Sequence, residues 1–297
     1  MHWPDKFFAN EFSLRTFKAW IKIALIQSLK WLHGTRFIWV AHNARPHEST
    51  APISLITRIF LKSLDGIIYL SHYSHSLVHD LYGSSVEKAE LITVHGHYLE
   101  NKITPLKNPP SIMQDIHLSY FGRIRRYKNI HRLVALIGMM SDRNITLTIT
   151  GTYQCNDLAI QIENTARSSS HIQLDMRSTV IPDADLESVI DNCHAVILPY
   201  RDILNSGAAL LALSRNRPIL APAIGGFLEL QKKAGSDWVR LYHGELTLDV
   251  FEAFVKFLRE RPLLISPDLS AYNWTPISND LCHFIHQLCD SGAPSKV

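Results

Sequence analysis

The stretch 119-SYFGRIRRYKNI-130 places Arg123, Arg125, Arg126 and Lys128 within six positions, behind an apolar run and a glycine. An arginine fork and a lysine point charge beside helix N-terminal amides suit a diphosphate. The same charges suit a solvated helix start, and from spacing alone the two readings are even. A second stretch, 205-NSGAALLAL-213, offers Asn205 or Ser206 as a helix cap ahead of Gly207 and small residues. Such a start leaves amides open to a phosphate, although taken alone it reads as a plain capped helix. His42 ends an apolar run before a proline-containing loop, where a histidine can be a general base or can bond a sugar hydroxyl. Glu48 and Asp5 are the carboxylate alternatives, and the three cannot be ranked without geometry. His95, His97 and Tyr98 follow another apolar run as further cleft candidates. His72, His75 and His79 can share a face over a helical turn and so suggest zinc. No carboxylate or cysteine completes that set at ligand spacing, so a surface helix is preferred and no metal is expected. Walker, GxGxxG and GxSxG motifs are missing, which removes the usual signs of nucleotide hydrolysis, dinucleotide redox chemistry and serine hydrolysis.

These residues must be positioned by alternating strands and helices. Continuous apolar runs predict strands over 36–42, 66–71, 90–95, 117–122, 145–151, 171–176, 194–200 and 218–223. Helical patterns lie between or after them at 52–64, 74–82, 129–141, 156–168, 183–192, 206–215 and 248–260. That rhythm predicts an α/β architecture with parallel sheets. Ligands of open α/β sheets bind beyond the carboxyl ends of strands, where the glycine, histidine and basic residues above concentrate. The proline-rich 103-ITPLKNPPSIMQD-115 reads as a linker. It separates a first domain over 1–104 from a second over 116–270, with a last segment at 271–297. The first domain shows three strands at most and reads as incomplete.

Bulk composition narrows the function classes. The chain has 297 residues, is 46% hydrophobic and carries a net charge of +3, too mild for a typical phosphate-neutralising nucleic-acid binder. Lysine and arginine dominate residues 1–66, which suits an anionic membrane surface or substrate. The segment 17-FKAWIKIALIQSLKWL-32 is too short and too charged to span a bilayer, but its tryptophans and lysines suit an interfacial helix. A helix covering one face of a sheet fits it equally. The four cysteines form no CxxC pair, and with no signal peptide visible a reducing cytoplasm is expected.

The stretches 39-WVAHNARPHE-48, 95-HGHY-98, 121-FGRIRRYKN-129, 198-LPYRDILNSGAALLALSRNRPILAP-222 and 225-GGFLEL-230 come in the order found in one family. Together they resemble nucleotide-sugar-dependent glycosyltransferases of the GT-B type, group 1, and in particular bacterial polysaccharide transferases. The resemblance implies two Rossmann-like domains facing a cleft, with the last helix, around 278–290, crossing back onto the first domain. It implies that Arg123 and Lys128 bind the donor diphosphate and that Asn205, Ser206 and Gly207 approach the same phosphates. His42 matches a position facing donor sugar and acceptor. The donor would be UDP- or GDP-linked, the acceptor a saccharide or lipid-linked saccharide, with no metal cofactor and a cytoplasmic setting at the inner membrane face. Two departures stand out. Many retaining members carry two glutamates where Ile203 and Leu211 stand here. An H-W-P-(D/E) stretch that usually follows the third strand stands at the first residues, so the chain is expected to lack about two βα units, roughly 60 residues. A truncated, inactive relic acting as a binding or interaction protein is therefore the alternative function. An RNA-binding module using Arg125 and Arg126 is a lesser rival, and no nucleic-acid partner is expected.

Overall fold

The computed structural model describes residues 14–44, 54–100, 107, 115–140, 144–261 and 266–290. In chain order the helices and strands begin α1 (Leu14–His33), β1 (Ile38–Ala41), α2 (Leu55–Ser63), β2 (Gly66–Tyr69), α3 (His72–Tyr82) and β3 (Ala89–Ile92). There follow β4 (Ile116–Phe121), α4 (Ile130–Gly138), β5 (Ile145–Thr152), α5 (Asn156–Ala166), β6 (Ile172–Arg177) and α6 (Asp183–Asp191). The chain continues with β7 (Ala195–Ile197), α7 (Gly207–Ser214), β8 (Ile219–Pro222) and α8 (Gly226–Ala234). The last elements are β9 (Val239–Tyr242), α9 (Leu248–Glu260) and α10 (Trp274–Asp290). Two compact units result: Met1–Gly96 with Tyr272–Val297, and His97–Ala271. The division falls at Gly96–His97, ahead of the proline-rich stretch, most of which lies outside the described residues.

In the first unit β1, β2 and β3 form a parallel sheet in that order. Side chains alternate between its faces. Ile38, Val40, Ile68 and Leu91 pack with Phe284 and Leu288 of α10 on one face. Gly66 makes room for that helix, because a Cβ there would lie 2.9 Å from the Phe284 ring and 3.0 Å from Leu288. The opposite face carries Trp39, Ala41, Ile67 and Tyr69, all buried. The helices on this unit start where their sequences provide caps. The Ser54 hydroxyl accepts from the Thr57 amide at 3.3 Å. At α3, Ser71 and Ser74 satisfy each other's backbone amides at 3.1 Å in a capping box.

The second unit holds six parallel strands in the order β6-β5-β4-β7-β8-β9, joined by helical crossovers. Chain order reverses between β4 and β7, the place where open sheets of this kind bind ligands. β7 and β8 are buried along their whole length, which is why their sequences are continuously apolar. A charged network also lies inside this unit. Asp191 receives two hydrogen bonds from Arg215, at 2.7 and 2.5 Å, and its carbonyl accepts one from Arg217 at 2.6 Å. Glu187 lies 3.1 Å from Arg215, and all four residues are buried. Desolvating four such groups is tolerable because each finds an opposite charge or a carbonyl. The cluster ties α6 to the turn between α7 and β8.

Candidate active site

The site is built on the turn after β4. Gly122 adopts φ +115, a conformation that side chains resist. Its amide donates to the Thr150 carbonyl at 3.0 Å, and the Ile124 amide donates to Thr152 at 2.8 Å. The turn therefore lies flat along the end of β5. Gly151 allows that approach, since a Cβ there would overlap the Gly122 carbonyl and crowd Ile124. The Tyr153 amide continues the ladder to the Arg177 carbonyl at 3.0 Å.

These backbone ties form one wall of a cavity of about 330 Å³ at the carboxyl ends of β4, β5 and β6. Arg123, Arg125, Gln154, Thr179 and Asp183 are among its lining residues. Arg123 is exposed, and Arg125 donates from Nη2 to Gln154 Oε1 at 2.5 Å. Arg123 and Arg125, two positions apart, both line the cavity, while Arg126 is exposed and outside it. Lys128 is not among the cavity residues. Its ammonium lies 4.9 Å from the centre of the Tyr200 ring and 5.8 Å from that of Tyr120, at the end of β4 beside Gly122. Burial, reinforced by the charges of Arg123 and Arg125, lowers the Lys128 pKa to about 8. The Tyr120 hydroxyl donates to the Arg123 carbonyl at 2.8 Å, linking the aromatic floor to the basic turn.

The loop after β7 supplies the other side. The Ser206 hydroxyl caps α7 by accepting from the Ala209 amide at 3.2 Å. The Gly226 amide donates to the Leu204 carbonyl at 2.9 Å, so the starts of α7 and α8 are held next to each other, with Asn205 against Gly226. Two positive helix ends thus converge at this loop. A Cβ at Gly207 would stand 3.0 Å from the Tyr98 hydroxyl. The Tyr98 amide in turn donates to the Ser214 hydroxyl at 3.0 Å. Burial and the nearby charge of Asp183, a cavity-lining residue, raise the Tyr98 pKa.

The remaining predicted residues are spread more widely. His42 follows β1 in the first unit, half-buried, its amide donating to the Val40 carbonyl at 2.9 Å. His95 bonds the Gly96 carbonyl through Nδ1 at 2.8 Å, and buried His97 accepts from the Leu99 amide at 3.3 Å. Asp5 and Glu48 lie outside the described residues. Glu90 of β3, distant in sequence, completes a potential ligand set with His75 and His79, whereas His72 is exposed and outside it. Sequence reasoning also missed 151–154 and 178–183 as cavity lining. Both stretches follow predicted strands, so the rule that marked Arg123 also covers them.

The chain has relatives among characterised transferases. It is 25% identical over 279 residues to the GDP-mannose:glycolipid 4-beta-D-mannosyltransferase of Xanthomonas campestris pv. campestris, covering 93% of this chain and 76% of that one. A second protein of that description is 26% identical over the same shares. No protein-family model matches. Among solved structures, sucrose-phosphate synthase from Thermosynechococcus elongatus superposes with a TM-score of 0.69 at 15% identity, covering 92% of this chain and 72% of that one. HepE of Anabaena in complex with UDP-glucose gives 0.62 at 11% identity, covering 91% and 75%. Two parallel α/β units, the second with its order reversed between β4 and β7, have the fold of GT-B glycosyltransferases. Within that class the chain is a nucleotide-sugar-dependent transferase similar to those of bacterial polysaccharide and glycolipid synthesis.

Proposed function

We propose that the chain transfers mannose from GDP-mannose to a lipid-linked saccharide. The observation that carries this is the cavity beside the basic turn, with Arg123 and Arg125 on its wall and Asp183 among its lining. A nucleoside fits that volume, and the diphosphate would extend over the switch point toward Lys128 and the amides of Asn205, Ser206 and Gly207. Guanine presents adjacent N1–H and N2–H donors, which one carboxylate can accept together, whereas uracil presents a single N–H. Asp183 is that carboxylate. The curated relatives, named for GDP-mannose and a glycolipid, support the same donor and acceptor.

The leaving group is GDP, and its developing charge is stabilised by the guanidinium groups, the lysine and the helix amides without a metal. Moving mannose from the α-linked donor into a β-linkage inverts the anomeric carbon. Inversion needs a base on the acceptor hydroxyl, and His42 is the candidate, with Glu48 and Asp5 as alternatives.

The acceptor's lipid points to a membrane surface, on the cytoplasmic side where nucleotide sugars are found. Among the described residues no helix is long and apolar enough to cross a membrane. The helix α1 buries Ala19, Ile23 and Ile26 and exposes Phe17, Ile21, Leu25 and Trp31 among lysines, the composition of a peripheral contact. Calorimetric titration with GDP, UDP and ADP tests the donor reading. GDP should bind at least tenfold tighter than UDP, and Asp183→Asn should remove most of that preference. Equal affinities in the unmodified chain would refute it.

A further inference from the structure

We propose that His75, His79 and Glu90 form a divalent-cation site that takes zinc, separate from the transfer chemistry. His75 and His79 stand one helical turn apart on α3, so both rings leave the same face. Their ring centroids are 4.4 Å apart. The capping box at Ser71 and Ser74 fixes the start of that helix three to four residues before the first ligand. Glu90 comes from the edge strand β3, where its pairing with Ile67 puts it on the face opposite α10. His75 Nε2 lies 3.1 Å from Glu90 Oε2, and His79 Nε2 lies 2.6 Å from Oε1. One ligand atom from each residue can be chosen with all three within 4.8 Å of one another.

A tetrahedral zinc with bonds of about 2.05 Å needs ligand atoms about 3.3 Å apart. Side-chain rotation has to bring the three ligand atoms, which now lie between 2.6 and 4.8 Å apart, to that common spacing. The Tyr69 hydroxyl donates to Glu90 Oε1 at 3.0 Å, and the Tyr69 ring meets His75 edge-on at a centroid distance of 5.0 Å. Such an outer partner orients a ligating carboxylate. Lys88 also feels the Glu90 charge, but its ammonium is bonded to the carbonyls of Leu61 and Leu64.

Side-chain exposures of 30% for His75, 31% for His79 and 22% for Glu90 leave an entry path and a fourth position for water. Two imidazole nitrogens with one carboxylate suit zinc, while magnesium and calcium favour all-oxygen sets. Bound there, the ion would cross-link α3 to the edge of the three-stranded sheet.

The test uses the full chain, free of any affinity tag and stripped with a chelator. Zinc titration against a chromophoric competitor should show one equivalent bound, with affinity falling as the solution is acidified, because imidazole binds only when neutral. His79→Ala and Glu90→Gln should each weaken binding at least tenfold, and His72→Ala should leave it unchanged. Zinc should raise the melting temperature of the unmodified chain and not that of Glu90→Gln. Cobalt gives a readout independent of any variant: the unmodified chain should show the intense visible bands of a four-coordinate ion. Weak octahedral bands, no bound zinc, or full affinity in a folded Glu90→Gln chain would each overturn the proposal.

Discussion

The lysine under the basic turn provides a test of the proposed donor clamp through pH alone. Burial and two neighbouring arginines bring Lys128 from its ordinary 10.5 to about 8. A diphosphate arriving at the end of β4 supplies the negative charge the ammonium lacks, and so returns its pKa toward the ordinary value. Above pH 8 binding must therefore take up a proton. At pH 9 the free protein holds about one lysine in ten protonated, so the affinity for GDP falls roughly tenfold from its value at pH 7, about 1.4 kcal/mol. Isothermal titration at constant ionic strength between pH 7 and 9.5 measures this. The Lys128→Met variant should bind more weakly at neutral pH and lack this fall. Subtracting its profile also cancels titration of the base itself. Repeating the measurement in buffers of different ionisation enthalpy should show uptake of nearly one proton at pH 9. Parallel profiles for the two proteins would refute the reasoning. The free protein carries the opposite sign: its unfolded state binds the extra proton between pH 8 and 10.5, so this lysine makes stability rise with pH across that window.

Two further predictions concern the framework. Asp191→Ala removes the carboxylate that pairs with buried Arg215, and should cost about 3 kcal/mol, at the low end for a broken buried pair. Urea unfolding checks it, and a loss under about 1 kcal/mol would mean that water replaces the carboxylate. Phe284→Ala opens a cavity where α10 meets Gly66 and Ile68, and should cost about 3–5 kcal/mol. Proteolysis within 14–96 should accelerate in that variant; unchanged protection would show that α10 contributes little to the first unit.

The α/β class was legible because buried parallel strands read as unbroken apolar runs, as β7 and β8 do. β9 escaped notice: 239-VRLY-242 is an edge strand with Arg240 exposed, so no such run exists. α8 is not among the predicted helices; two glycines open it, and they are what lets its start reach the Leu204 carbonyl. The charges of the basic turn were visible in sequence, but their directions were not. Which of Arg123, Arg125 and Lys128 meets the cavity depends on the Gly122 turn and on the bridge from Ile124 to Tyr153. Glu90 could not be paired with His75 and His79 by spacing, since only strand register and the face of α3 bring them together.

Supplying radiolabelled GDP-mannose and a lipid-linked saccharide, then determining the anomeric configuration of the product, tests the central claim most directly. The account predicts GDP release coupled to a β-linked mannosyl product, lost in Arg123→Ala and strongly reduced in His42→Ala. An α-linked product, or equal transfer from UDP-glucose, would contradict it.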